Sequence, residues 1–107
     1  MATINIVNGE YEITWDANFT PATTSDHAHF FWDIYDAAQV GSSSADQAPW
    51  ELTDQQPFVP TGEMRLTNRP GDATGICVTP ANSSHQVIDP AYFHCALVAP
   101  GENWTLP

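Results

Sequence analysis

Two histidines separated by a single residue, His27 and His29, are the side chains in this sequence best suited to do chemistry. On an extended strand, residues i and i+2 point to the same side and lie roughly 6.6 Å apart along the backbone. Two imidazoles so placed can share one metal ion, each nitrogen about 2 Å from it. A stable site needs a third ligand, and the chain holds only two other histidines, His85 and His94. His94 precedes Cys95, so an inward-facing Cys95 turns His94 outward. If that strand lies beside the one carrying His27 and His29, His94 completes a three-histidine site. His85 falls in a loop and has the freedom to reach the same place. Such an imidazole-rich set suits copper(II), zinc or nickel, and the expected cofactor is copper or zinc. Three histidines and a water are also the ligands of hydrolytic zinc. Here, however, no Ser/His/Asp order and no matched pair of acids accompanies them, so the sequence points to binding or carriage of metal rather than to turnover.

Two other groups of residues compete for attention. Asp33, Asp36 and Asp46 bracket the serine-rich stretch at residues 42–44, but they lack the spacing of a helix–loop–helix calcium site, and a solvated acidic loop explains them. Trp50 and Trp104 fall in loop and tail, and Phe31, Tyr35 and Tyr92 fall on outward-facing positions. Exposed rings of this kind stack on sugars or mediate assembly. The alternative function is therefore a non-enzymatic extracellular recognition or assembly module, carbohydrate-binding or the subunit of a surface filament, in which the histidines are structural.

The element that must position the histidines is the stretch from His27 to Tyr35. Its even positions, Ala28, Phe30, Trp32 and Ile34, are apolar and belong to a core. Its odd positions, His27, His29, Phe31, Asp33 and Tyr35, are expected to face outward. Upstream, Thr3–Val7 and Glu10–Asp16 alternate in the same way and flank Asn8-Gly9, the dipeptide that best tolerates the positive φ angles of a two-residue hairpin. Downstream, Asp36–Pro49 reads as a loop with room for one helical turn at 36–40. Trp50–Leu52 and Phe58–Val59 are short pieces bounded by prolines, suited to sheet edges. Strands are expected at Gly62–Asn68, at Thr74–Thr79 with Cys77, briefly at His85–Ile88, and at Ala91–Ala99 with His94 and Cys95, with Trp104 packing back from the tail. About seven or eight short strands without a sustained helical period predict one all-β domain over residues 1–107, an antiparallel β-sandwich of immunoglobulin-like type. A small β-barrel is the second choice.

Composition narrows the partners. The 107 residues contain no lysine; Arg65 and Arg69 stand against 13 acids, for a net charge of −11. Such a surface repels nucleic acid and anionic membranes and attracts cations. The expected partners are a metal ion, a basic or carbohydrate-bearing surface, or another copy of the chain through an edge strand. Cys77 and Cys95 are the only cysteines. In a small lysine-free domain they predict one disulfide, contributing roughly 3 kcal/mol, in a secreted, periplasmic or cell-surface setting. No apolar run approaches the ~20 residues of a membrane span. Met1-Ala2 leads at once into strand-like sequence, which reads as a mature domain behind an initiator methionine. Asn18, Asn82 and Asn103 each begin an N-x-[ST] triplet, a glycosylation acceptor in a eukaryotic secretory setting.

Overall fold

The structure, a computed structural model, describes residues 2–7, 10–15, 17, 19–42, 44, 46–97 and 104–105. Their regular structure is mostly strand: β1 (Ala2–Val7), β2 (Glu10–Trp15), β3 (His27–Trp32), β4 (Glu51–Thr53), β5 (Gly75–Ala81), β6 (His94–Leu97) and β7 (Trp104–Thr105). Helix is limited to two 3-10 turns, Ala37–Gln39 and Leu66–Asn68. The β-rich character expected from the alternation is what forms, and Cys77 and Cys95 are joined in a disulfide. The strands make a four-stranded sheet in the order β4-β3-β5-β6 and a three-stranded sheet in the order β2-β1-β7. Each pairing within them is antiparallel.

Local chemistry explains where elements start and stop. β1 and β2 pair up to Val7↔Glu10, leaving two residues for the connection. The Asn8-Gly9 turn itself, the end of the last expected strand at Val98-Ala99, and Asn18 and Asn103 of the glycosylation triplets lie outside the described residues. β3 ends at Trp32 rather than Tyr35, because the Asp33 carboxylate accepts hydrogen bonds from the Thr74 N–H (3.0 Å) and hydroxyl (2.8 Å), and Tyr35 N–H turns back to the Trp32 carbonyl. The strand expected at Gly62–Asn68 is instead a series of turns ending in the second 3-10 turn. The Glu51 carboxylate accepts the backbone N–H groups of Thr61, Gly62 and Met64. Donors held on a carboxylate cannot also feed a ladder, so the alternation of Met64 and Leu66 is overridden.

The core has two parts, one on each side of the four-stranded sheet. On one side, Ala28, Phe30 and Trp32 of β3 pack with Ile13 and Trp15 of β2 and with Phe58, Met64, Ala73 and Ile76. Phe30 sits between Trp15, edge-to-face at 5.9 Å, and Phe58 at 5.1 Å. Ile13 and Phe58 also exchange two backbone hydrogen bonds of 2.8 Å. On the other side, Phe31 and Cys77 are covered by Ala37, Val40 and Ala48 from the 36–50 segment. The odd positions His27, His29 and Phe31, expected to face outward, are therefore buried, as is every residue of β3. The covering segment is fastened to the β5–β6 connection. Ser42 donates to the His85 carbonyl (2.8 Å) through its N–H and to the Ser84 carbonyl (2.7 Å) through its hydroxyl. Gly41 lies so close that a Cβ there would meet the Val87 nitrogen at 3.1 Å.

This division of the core predicts unequal sensitivity along one short stretch. Phe30→Ala should cost about 3–5 kcal/mol in urea denaturation. Ile34→Ala, four residues on and 38% exposed, should change stability by less than about 0.5 kcal/mol.

Candidate metal centre

Strand pairing decides which histidines can meet. Residues directly opposite one another in an antiparallel pair project to the same face. His27 faces Ala81 and His29 faces Thr79, while Phe31 faces Cys77, which in turn faces Cys95. The histidines and the disulfide thus share one face of the sheet. His94 is opposite Val78, which is opposite Phe30, and so belongs to the other face. The structure accordingly brings together His27, His29 and His85 and leaves His94 apart, its ring edge-on to Tyr92 at 5.4 Å. The placement of His94 beside the pair assumed that the disulfide faces the same core as Phe30. With the disulfide on the histidine side, alternation sends His94 the opposite way.

His85 arrives from the turn that follows β5. The Asn82 side chain accepts the N–H groups of Ser84 and Gln86, and His85 N–H returns to the Asn82 carbonyl. His85 has a φ of 59°, the left-handed region that residues with a Cβ seldom occupy. The turn directs its ring back over β3, where its centroid lies 5.1 Å from that of His27. One ligand atom from each of the three histidines lies within 4.8 Å of the others. Both cysteines are consumed by the disulfide, so no thiolate competes. The acids Asp33, Asp36 and Asp46 form no comparable group among the described residues.

The hydrogen-bond partners place a proton on the Nδ1 of His27 and of His29. A carbonyl oxygen only accepts, so the nitrogen facing it must carry the proton. His27 donates from Nδ1 to the Ser25 carbonyl at 3.0 Å, and His29 donates from Nδ1 to the Val40 carbonyl at 2.6 Å. In the neutral rings both Nε2 atoms are then bare lone pairs, and they face each other at 3.1 Å. His85 Nδ1, at 3.2 Å from His27 Nε2, can donate to one of them. His29 Nε2 is left without a donor among the described residues. An unsatisfied buried acceptor costs about 1–3 kcal/mol. A cation among the three nitrogens removes that cost.

His29 is held in the form that such a cation needs. It is 0% exposed, with Trp50 stacked on its ring at 4.0 Å. Burial pushes its pKa down to about 4; the Val40 carbonyl pulls it back up in part, and His27 and His85 push it further down. A neutral imidazole whose far N–H is tied to a carbonyl is the usual arrangement of a metal-ligating histidine. Two of the three spacings suit a shared ion. The nitrogens of His29 and His85 lie 3.1 and 3.2 Å from His27 Nε2, and such pairs, each about 2.05 Å from one ion, subtend angles of roughly 98° to 103°, between octahedral and tetrahedral values.

The residues that orient the pair escaped sequence reasoning. Ser25 and Val40 act through backbone carbonyls, which no side-chain pattern reveals. Trp50 reads in sequence as an exposed stacking ring, and its partner is an imidazole of the same chain. No protein-family model, curated protein or solved structure matches this chain.

The lowered pKa of His29 sets a pH dependence. Between about 6.5 and about 4 the unfolded chain binds a proton at this residue that the folded chain refuses. The metal-free protein should therefore lose roughly 3 kcal/mol of stability from this group alone as pH falls through that window. Urea unfolding at pH 7 and pH 4, in chelator, should show that extra loss in the wild type and not in His29→Leu. Equal losses would mean that the folded state does not hold His29 neutral.

Proposed function

We propose that this protein binds one divalent transition-metal ion, copper(II) or zinc, through His27 Nε2, His29 Nε2 and His85 Nδ1, and that its role is to hold or carry the ion. The observation that carries this reading is the pair of Nε2 lone pairs facing each other at 3.1 Å while both Nδ1–H groups are engaged by carbonyls. Imidazole nitrogens suit these two ions, and the net charge of −11 favours cation capture. Complete burial of His27 and His29 supports holding over turnover, because a catalytic metal keeps a coordination position open to substrate. The disulfide supports a secreted, periplasmic or cell-surface protein. No helix among the described residues is long and apolar enough to cross a membrane. Packing of Ile13 and Trp15 from one sheet on Phe30 and Trp32 from the other supports the β-sandwich. A second reading, a recognition or assembly module with structural histidines, draws on the exposed rings of Tyr92 and Phe93.

Calorimetric titration of chelator-stripped protein at pH 7 distinguishes the two. Copper(II) or zinc should bind with one equivalent and weaken sharply at pH 5, where protons compete for the imidazoles. His27→Ala, His29→Ala and His85→Ala should each lose at least roughly 100-fold in affinity, and His94→Ala should bind as the wild type does. Metal at 100 times its dissociation constant should stabilise the fold by about 2.7 kcal/mol. Absence of stoichiometric binding would sink the metal reading and leave the histidines as packing residues.

A further inference from the structure

The face of β3 that points away from the histidines opens, toward its N-terminal end, onto a cleft of about 560 Å³. That volume lies within the range of small-molecule sites. Ala28, Val78 and Pro80 form its floor, and Trp15, Phe19 and Tyr92 supply aromatic surface. Tyr92 is 56% exposed and Ile88 52%, so two of the walls are apolar side chains left partly uncovered by the fold. The remaining character is acidic. Asp26 and Asp89 line the cleft, and neither of the chain's two arginines does. Asp89 accepts the Ala91 N–H through Oδ1; among the described residues no donor meets the Asp26 carboxylate. His94, which the metal reading does not use, stands on the same wall with its ring edge-on to Tyr92.

We infer that this cleft binds a small organic cation: a protonated or quaternary amine carried on an apolar body. Carboxylates beside aromatic faces favour an ammonium group twice over, through charge and through the ring quadrupoles, and the alanine, valine, proline and isoleucine surface takes the apolar part. A carboxylate or phosphate ligand would meet two acids and no arginine or lysine. A neutral ligand of the same shape would fill the apolar floor and leave the acids without a countercharge. The inference is independent of the metal centre, which lies on the opposite face of β3.

The test is a chemical-shift titration of the full-length, isotope-labelled protein in chelator, so that amine–metal contacts do not enter. Four probes are compared: 2-phenylethylammonium, benzyltrimethylammonium, 2-phenylethanol and phenylacetate, with methyl glucoside as a fifth. Both cations should shift the amides of Ala28, Thr79, Ile88 and Tyr92 and bind at least tenfold more tightly than the alcohol. Phenylacetate and the glucoside should leave those amides unmoved. Asp26→Asn with Asp89→Asn should abolish the preference for cation over alcohol while alcohol binding and thermal unfolding stay as in the wild type. Tyr92→Ala should weaken benzyltrimethylammonium several-fold. Equal binding of alcohol and ammonium, binding of the sugar alone, no shift with any probe, or shifts scattered over the whole acidic surface would each overturn the assignment.

Discussion

Six consecutive buried residues, His27 to Trp32, impose a condition that the rest of the molecule meets. A strand alternates its side chains, so burying all of them requires cover on both faces of its sheet. One face is covered by β2 together with Phe58 and Met64. The other is covered by residues from the 36–50 segment, which has no regular strand among its described residues and is held down by Val40, Ala37 and Ala48 and by hydrogen bonds from Ser42 to the β5–β6 connection. The disulfide lies on this second face, where the covering segment is irregular and the apolar cluster is small. A covalent link between β5 and β6 there supplements a core that has few large side chains.

The same cover makes the histidines chemically unusual. An imidazole at the surface moves between protonation states near neutral pH without structural cost. Buried under Trp50, His29 resists the charged form, and its pKa is lowered to about 4 even though the Val40 carbonyl favours protonation. Carbonyl groups hold the Nδ1 protons of both rings, and in the neutral rings this leaves the two Nε2 lone pairs aimed at one another. Solvent is excluded from His27 and His29, so the conflict is relieved by a donor or a cation within the cluster. His85 meets half of that demand from a left-handed backbone conformation in the turn after β5.

β3 therefore separates two unlike environments. On one side are imidazoles in a dry interior. On the other, past Ala28, is a partly open cleft with aromatic walls and acids. The connection from β5 to β6 serves both, through His85 on one side and Ile88, Asp89 and Tyr92 on the other. Short segments that serve two environments constrain one another, which accounts for the many side-chain-to-backbone hydrogen bonds that brace residues 82–92.

Much of this was legible in the residues themselves. Alternation identified β1, β2, β3 and β5, and the apolar even positions of β3 were its main core face. The H-x-H spacing put two imidazoles on one side, and the two cysteines could pair only with each other. These are local properties, fixed by the two-residue period of a strand and by composition. The outward assignment of the odd positions and the choice of His94 were not local. Whether a strand has one covered face or two depends on where a distant loop packs. Whether His94 meets His27 depends on the parity of two successive strand pairings, β3 with β5 and β5 with β6. A shift of one residue in either would exchange the faces. The sequence by itself determined which residues alternate, which cysteines bond and that two histidines sit together. The tertiary structure decided that they are buried, that His85 is the third, and that backbone carbonyls hold their protons, because each of those depends on contacts between segments far apart in the chain.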